Sequence, residues 1–140
     1  MDELTQRIAG NADLTVERFS PISPGPLDYS EHSLEHIEWL LNDASQHELM
    51  DADIKEIVQI MGCYLLEVGR RNRGGQYSWF EQRHQPVLVV EGEGWRVAMM
   101  TFDKVEGRLR GEEADNIPFF YGGFAERASS ATPGTDAFYV

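Results

Sequence analysis

The hydrophobic period of this chain changes once, and that change fixes the order of its secondary structure. Between Leu34 and Val68 apolar residues recur every three or four positions, the spacing of a helix face. From Gln76 to Phe102 they alternate or run together, the spacing of strands. The helical part divides in two. In "LDYSEHSLEHIEWLLNDA" the residues Leu34, Ile37, Leu40, Leu41 and Ala44 share one side, and Asp28 followed by Glu31 has capping-box spacing. A second helix from Asp51 turns Ile54, Ile57, Val58, Met61, Tyr64, Leu65 and Val68 inward. Gly62 weakens it by up to about 1 kcal/mol relative to alanine, which implies close approach of a neighbouring backbone. Then "QYSWF", "PVLVVE" and "WRVAMMTF" read as a three-stranded antiparallel meander, turning at "EQRHQ" and at Gly92 and Gly94.

The flanks are less regular. "SPISPGP" (20–26) stops any regular element, so residues 1–26 read as an arm, docked or mobile, with at most a short helix at 2–9. Residues 27–140 read as a single α+β domain. After the meander, Asp103 and Glu106 repeat the capping-box spacing and Gly111 suits a helix end. Pro118 suits the start of a last helix, "IPFFYGGFAERA", and the tail "SSATPGTDAFYV" is turn-rich until its last four residues. The expected architecture is two N-terminal helices, the meander and two C-terminal helices.

Composition narrows the function class. At 140 residues with 41% hydrophobic content the chain can bury one core, and 15 Phe, Tyr and Trp residues exclude wholesale disorder. No apolar run approaches the roughly 18 residues of a membrane span, and "MDELTQRIAG" lacks the apolar stretch of a signal peptide. A single cysteine, Cys63, cannot form an internal disulfide, which fits a reducing, cytoplasmic setting. The net charge of −12 is concentrated in residues 1–69, which hold 3 basic residues against 14 acidic ones. That field repels phosphates and favours cationic partners.

Several motifs suggest chemistry, and most fail on spacing. "GRRNRGGQYSWF" (69–80) carries Arg70, Arg71 and Arg73 beside two glycines, but RGG segments bind RNA when repeated and flexible. Arginines at a helix C-terminus are favoured by its exposed carbonyls, and Gly69 or Gly74 can take the left-handed cap conformation, so no ligand is required. Gly74-Gly75-Gln76 resembles the catalytic loop of peptide-chain release factors, yet here Gln76 runs straight into a strand. "HSLEH" places His32, Glu35 and His36 in the H-x-x-E-H pattern of a zinc hydrolase. Both histidines lie about 135° and about 95° from the inward face of their helix. Cys63 sits mid-helix among apolar residues, as an inert core thiol does. "GEGWRV" lacks the third glycine of a dinucleotide loop, and "DADIKE" lacks the glycine and distal glutamate of a calcium loop. Glu112, Glu113 and Asp115 read as a solvated acidic loop. No cofactor is implied.

The aromatic residues are harder to place. Trp79, Phe80, Trp95, Phe102, Phe119, Phe120, Tyr121 and Phe124 cluster in the meander and last helix. A helical arrangement puts Phe120 and Phe124 on one face with Tyr121 near them, while Phe119 points partly away. Aromatics left exposed beside arginines are the usual make-up of a protein-binding hot spot, so Arg70, Arg71, Arg73, Trp79, Phe120, Tyr121 and Phe124 are the expected partner-binding residues.

The succession "MGCYLLEVGRRNRGGQYSWF … PVLVV … VAMMTFDKVEGRL" resembles a loose group of uncharacterised small bacterial α+β domains, over residues 60 to 125. The matching positions are Tyr64, Leu65, Glu67, Val68, Arg70, Gly74, Gly75, Lys104, Val105, Arg108 and Leu109. The resemblance implies a fold and no chemistry, although some members look like accessory or immunity-type proteins. The acidic N-terminal half departs from the pattern.

Glu67 lies three and four positions before Arg70 and Arg71, a pairing worth about 0.2–0.5 kcal/mol at the surface. Buried against the meander, the same group would organise the helix–strand junction, and that is the expectation. No nucleophile–base pair, complete metal set or phosphate loop is visible. The chain therefore reads as a non-enzymatic protein-binding module of adaptor or immunity type. A small metal-assisted hydrolase through His32, Glu35 and His36, or a regulatory domain binding a small molecule between helices and sheet, is the alternative.

Overall fold

A computed structural model of the chain describes residues 2–140 as five helices and one four-stranded sheet. In chain order these are α1 (Glu3–Phe19), α2 (Leu34–Ser45), α3 (Asp51–Arg73), β1 (Gln76–Phe80), β2 (Gln85–Gly92), β3 (Trp95–Met99), α4 (Phe102–Leu109), α5 (Ile117–Ser130) and β4 (Asp136–Tyr139). The α+β class and the antiparallel β1–β2–β3 meander are as expected. The helix count and the sheet size are not.

The first difference is α1. Residues 1–26 read as an arm, docked or mobile, with a short helix at 2–9; the helix instead runs over Glu3–Phe19, packed along α3 and joined to its core through Ile8 and Ala12. Its buried stripe, Ile8–Ala12–Thr15, has the right spacing but little apolar bulk, so the sequence signal is faint. The Asp2 carboxylate accepts the Thr5 N–H at 2.7 Å and caps the helix. An Arg18–Glu56 ion pair ties its far end to α3.

The second difference is β4, which pairs in parallel with β3 at the edge of the sheet. Its alternation spans only four residues, with Ala137 and Tyr139 turned to the core side and Asp136 and Phe138 turned away.

Both expected capping boxes are replaced by longer-range bonds. The Asp28 carboxylate accepts the Ser30 N–H, and Ser30 Oγ accepts the Ser33 N–H, so a 3-10 turn leads into α2. Glu31 is drawn away to Arg73 on α3. At α4 the helix begins two residues early, with Thr101 in the cap position: Asp103 pairs with Arg83, and the Thr101 hydroxyl donates to the Gly62 carbonyl at 2.7 Å. Gly62 is indeed a point of close approach, but to the Phe102 ring, which lies where a Cβ would sit, rather than to backbone.

The core lies between the helices and the sheet face bearing Tyr77, Leu88, Val90, Val97 and Met99. Gly69, inside α3, lets that face press close: an added Cβ would lie 2.9 Å from Leu88 Cδ2 and 3.1 Å from Met99 Cε. The other sheet face holds a smaller cluster of Val87, Ala98 and Met100, with Phe80 and Val89 packed against it. Phe80 and Phe138 meet edge-to-face at 5.5 Å across that face.

Candidate functional site

The arginines of the α3 end are engaged inside the fold. Glu67 is fully buried and accepts Arg70 Nε at 2.7 Å and Nη2 at 3.0 Å, Arg71 Nε at 3.2 Å and the Tyr77 hydroxyl at 2.6 Å. The carboxylate thus organises the helix–strand junction, as its spacing predicts. The Arg71 guanidinium also lies 3.7 Å over the Tyr29 ring. Arg73 forms a two-point pair with Glu31 at 2.8 and 3.0 Å, and the Tyr121 hydroxyl donates to the same carboxylate. Gly74 then ends α3 at φ 81°, its N–H donating to the Arg70 carbonyl at 2.9 Å. The expected partner-binding arginines are structural staples in this arrangement.

These pairs make the fold acid-sensitive. Burial pushes the Glu67 carboxyl up, but the hydrogen bonds from Arg70 and Tyr77 outweigh it and hold the group below the ordinary value. The hydrogen bond from Arg73 holds Glu31 below it too, against the effect of burial. A carboxyl lowered on folding contributes stability that is complete above the unfolded value, about 4.3, and is lost as pH falls through the folded one. Urea midpoints should therefore fall steeply below about pH 4.3, and Glu67→Gln should flatten that fall. An unchanged slope in the variant would clear Glu67 of the effect.

The expected aromatic surface is also redrawn. Phe120, Tyr121 and Phe124 are buried, with Phe120 at the border of a groove between α5 and β4, whereas Phe119 is 81% exposed. The helical geometry separates these residues as expected, but the Phe120 face is the one the core takes. Trp79 remains half exposed, at the corner between α1 and β1.

Nor does a metal centre assemble. The His32 and His36 rings meet edge-to-face at 5.5 Å, and His36 lies over Gly25. Among the described residues no group of three His, Cys, Asp or Glu side chains converges as a metal site. Cys63 is buried and its thiol is pushed up to about 12 by that burial, as in an unreactive core cysteine. Asp115 of the acidic loop is held by Lys104 at 3.1 Å.

An apolar groove of ≈ 780 Å³ lies between α5 and β4. Phe119, Gly122, Gly123 and Glu126 line one side, and Phe138 and Val140 the other. Nothing lies within 4 Å of a Cβ placed on Gly122, so the helix presents bare backbone there. Phe138 is 47% exposed. The groove runs along a free sheet edge, because β4 has β3 as its one strand neighbour. The Arg96 N–H donates to Thr135 C=O at 2.9 Å and the Met100 N–H to Tyr139 C=O at 2.8 Å. Alternate residues therefore face β3, and the N–H and C=O of Asp136 and Phe138 point outward. The sequence carried a signal for this site in Gly122-Gly123 beside Phe119, and in the alternating end of the tail.

No family model, no curated protein and no solved structure matches this chain. No helix among the described residues is long and apolar enough to cross a membrane.

Proposed function

We propose that the protein is a non-enzymatic binding module that captures an extended, apolar and positively charged peptide segment of another protein. The observation that carries this reading is the unpaired edge of β4 beside an apolar groove with Phe119 and Phe138 exposed in it. A fifth strand laid on that edge would find outward donors and acceptors, and its alternate side chains would enter the groove. Charge selects the partner: Glu126 lines the groove, Lys104 in the lining is paired with Asp115, and the chain carries −12 overall. An adaptor or immunity-type role in a reducing, cytoplasmic setting fits these features.

Selection from a displayed random-peptide library tests the proposal. Enriched peptides are expected to alternate apolar residues, to carry Lys or Arg, and to protect the Phe138 amide from hydrogen exchange. Combining Phe119→Asp with Phe138→Lys should weaken them by about 30-fold or more, as for hot-spot residues. Stability should fall by no more than about 1–2 kcal/mol, because Phe119 is exposed and Phe138 gives up its edge contact with Phe80. Peptides that bind wild type and variant alike, no enrichment, or a dimer formed through this edge would each overturn it.

A further inference from the structure

A second concavity lies at the opposite edge of the sheet, where α1, α3, β1 and the start of β2 meet. It has a volume of ≈ 170 Å³, and Ile8, Cys63, Pro86 and Phe102 give it an apolar lining. Trp79 lines it as well, and Arg7, Gln59 and His84 bring polar groups to it. A dry cavity of about 150 Å³ accommodates a benzene ring, so this one suits a single ring or branched alkyl group.

Arg7, Gln59, Trp79 and His84 reach the cavity from exposed positions. The chain has 12 lysines and arginines against 24 carboxylates, so carboxylate partners are plentiful. Among the described residues Arg18, Arg70, Arg71, Arg73, Arg83, Arg96, Lys104, Arg108 and Arg110 are in ion pairs. Arg7, Lys55 and Arg127 are the exceptions, and Arg7 is the one of these three that lines the cavity. Among the described residues neither the Gln59 side-chain amide nor the Trp79 indole N–H has a hydrogen-bond partner.

His84 reaches the same cavity from the β1–β2 turn, where it takes φ 50° and its N–H donates to the Glu81 carbonyl at 3.2 Å. Its side chain is largely exposed and lies 3.9 Å from Glu81.

We infer that this cavity binds a small monocarboxylate with a compact apolar body, the carboxylate on Arg7 and the body against Ile8, Trp79 and Phe102. Guanidinium matches a carboxylate in two-point geometry, while Gln59 and the Trp79 indole N–H supply further donors. A dianion is disfavoured because one uncommitted arginine stands against the field of the surrounding acidic protein. The site is separate from the α5–β4 groove and shares no residue with it.

The test is a titration of the ¹⁵N-labelled full chain with benzoate, its neutral isostere benzamide, and inorganic phosphate. Benzoate is expected to give saturable shifts at Ile8, Cys63, Phe102 and the Trp79 indole. Benzamide should bind at least tenfold more weakly, and phosphate should leave these signals unmoved. Arg7→Gln, an exposed position that the fold tolerates, should weaken benzoate by about tenfold or more, the worth of a charged hydrogen bond, and leave benzamide unchanged. The proposal is overturned by absent saturation, by benzamide matching benzoate, by phosphate competing at the same residues, or by undiminished affinity in the variant.

Discussion

Replacing Phe124 with alanine is expected to remove about 3–5 kcal/mol from the stability of the fold, the cost of deleting a fully buried aromatic ring. The ring is a three-way contact. Its Cε2 would lie 3.4 Å from a Cβ at Gly69 of α3, and its centroid is 5.9 Å from that of Tyr121 and 6.4 Å from that of Tyr139 on β4. Gly69 has no side chain with which to fill the void, so the loss is poorly repaired. Phe119→Ala, five positions earlier on the same helix, should stay within about 0.5 kcal/mol. Urea unfolding of both variants decides the matter. Equal midpoints would show that the Phe124 face is not the one that holds α5 to the sheet.

The second large effect belongs to Glu67. Glu67→Ala is expected to cost about 3 kcal/mol, in the range for breaking a buried ion pair from one side. Arg70 and Arg71 can turn to water, since their side chains are 29% and 39% exposed. The Tyr77 hydroxyl cannot, and it would be left buried without a partner. A double-mutant cycle with Tyr77→Phe isolates this contribution: the Glu67 substitution should cost about 1 kcal/mol less once the hydroxyl is gone. Additive costs would mean that the loss comes from packing alone.

Which parts of this fold are legible in the sequence depends on the range of the deciding interaction. The period change near Gly74, the meander, Gly111 and Pro118 are local signals, and each marks a real boundary. Glu67 was legible as well, because its partners on α3 lie within one helical turn and the Tyr77 strand follows directly. Asp28, Glu31, Asp103 and Glu106 carry equally good local signals for capping that the structure does not use. Arg73 reaches Glu31 from 42 positions away and Arg83 reaches Asp103 from 20, and neither competitor is visible in a local motif. The aromatic helix shows a different limit. Spacing separates Phe119 from Phe120 and Phe124, but the choice of buried face waits on where the sheet and Gly69 lie. That is why Phe120 and Phe124 are buried and the exposed ring is their neighbour Phe119.

The parallel β3–β4 pair has a consequence for the order of assembly. The meander closes through short connections, but β4 can join only after residues 100–135, including α4 and α5, have been threaded back across the sheet. Loop-closure entropy makes such non-local pairing slow to form relative to hairpins. Completing the sheet and presenting the groove are therefore one event. A segment held along Phe138 favours the state in which β4 is docked, so occupancy of the groove and the final folding step are linked equilibria.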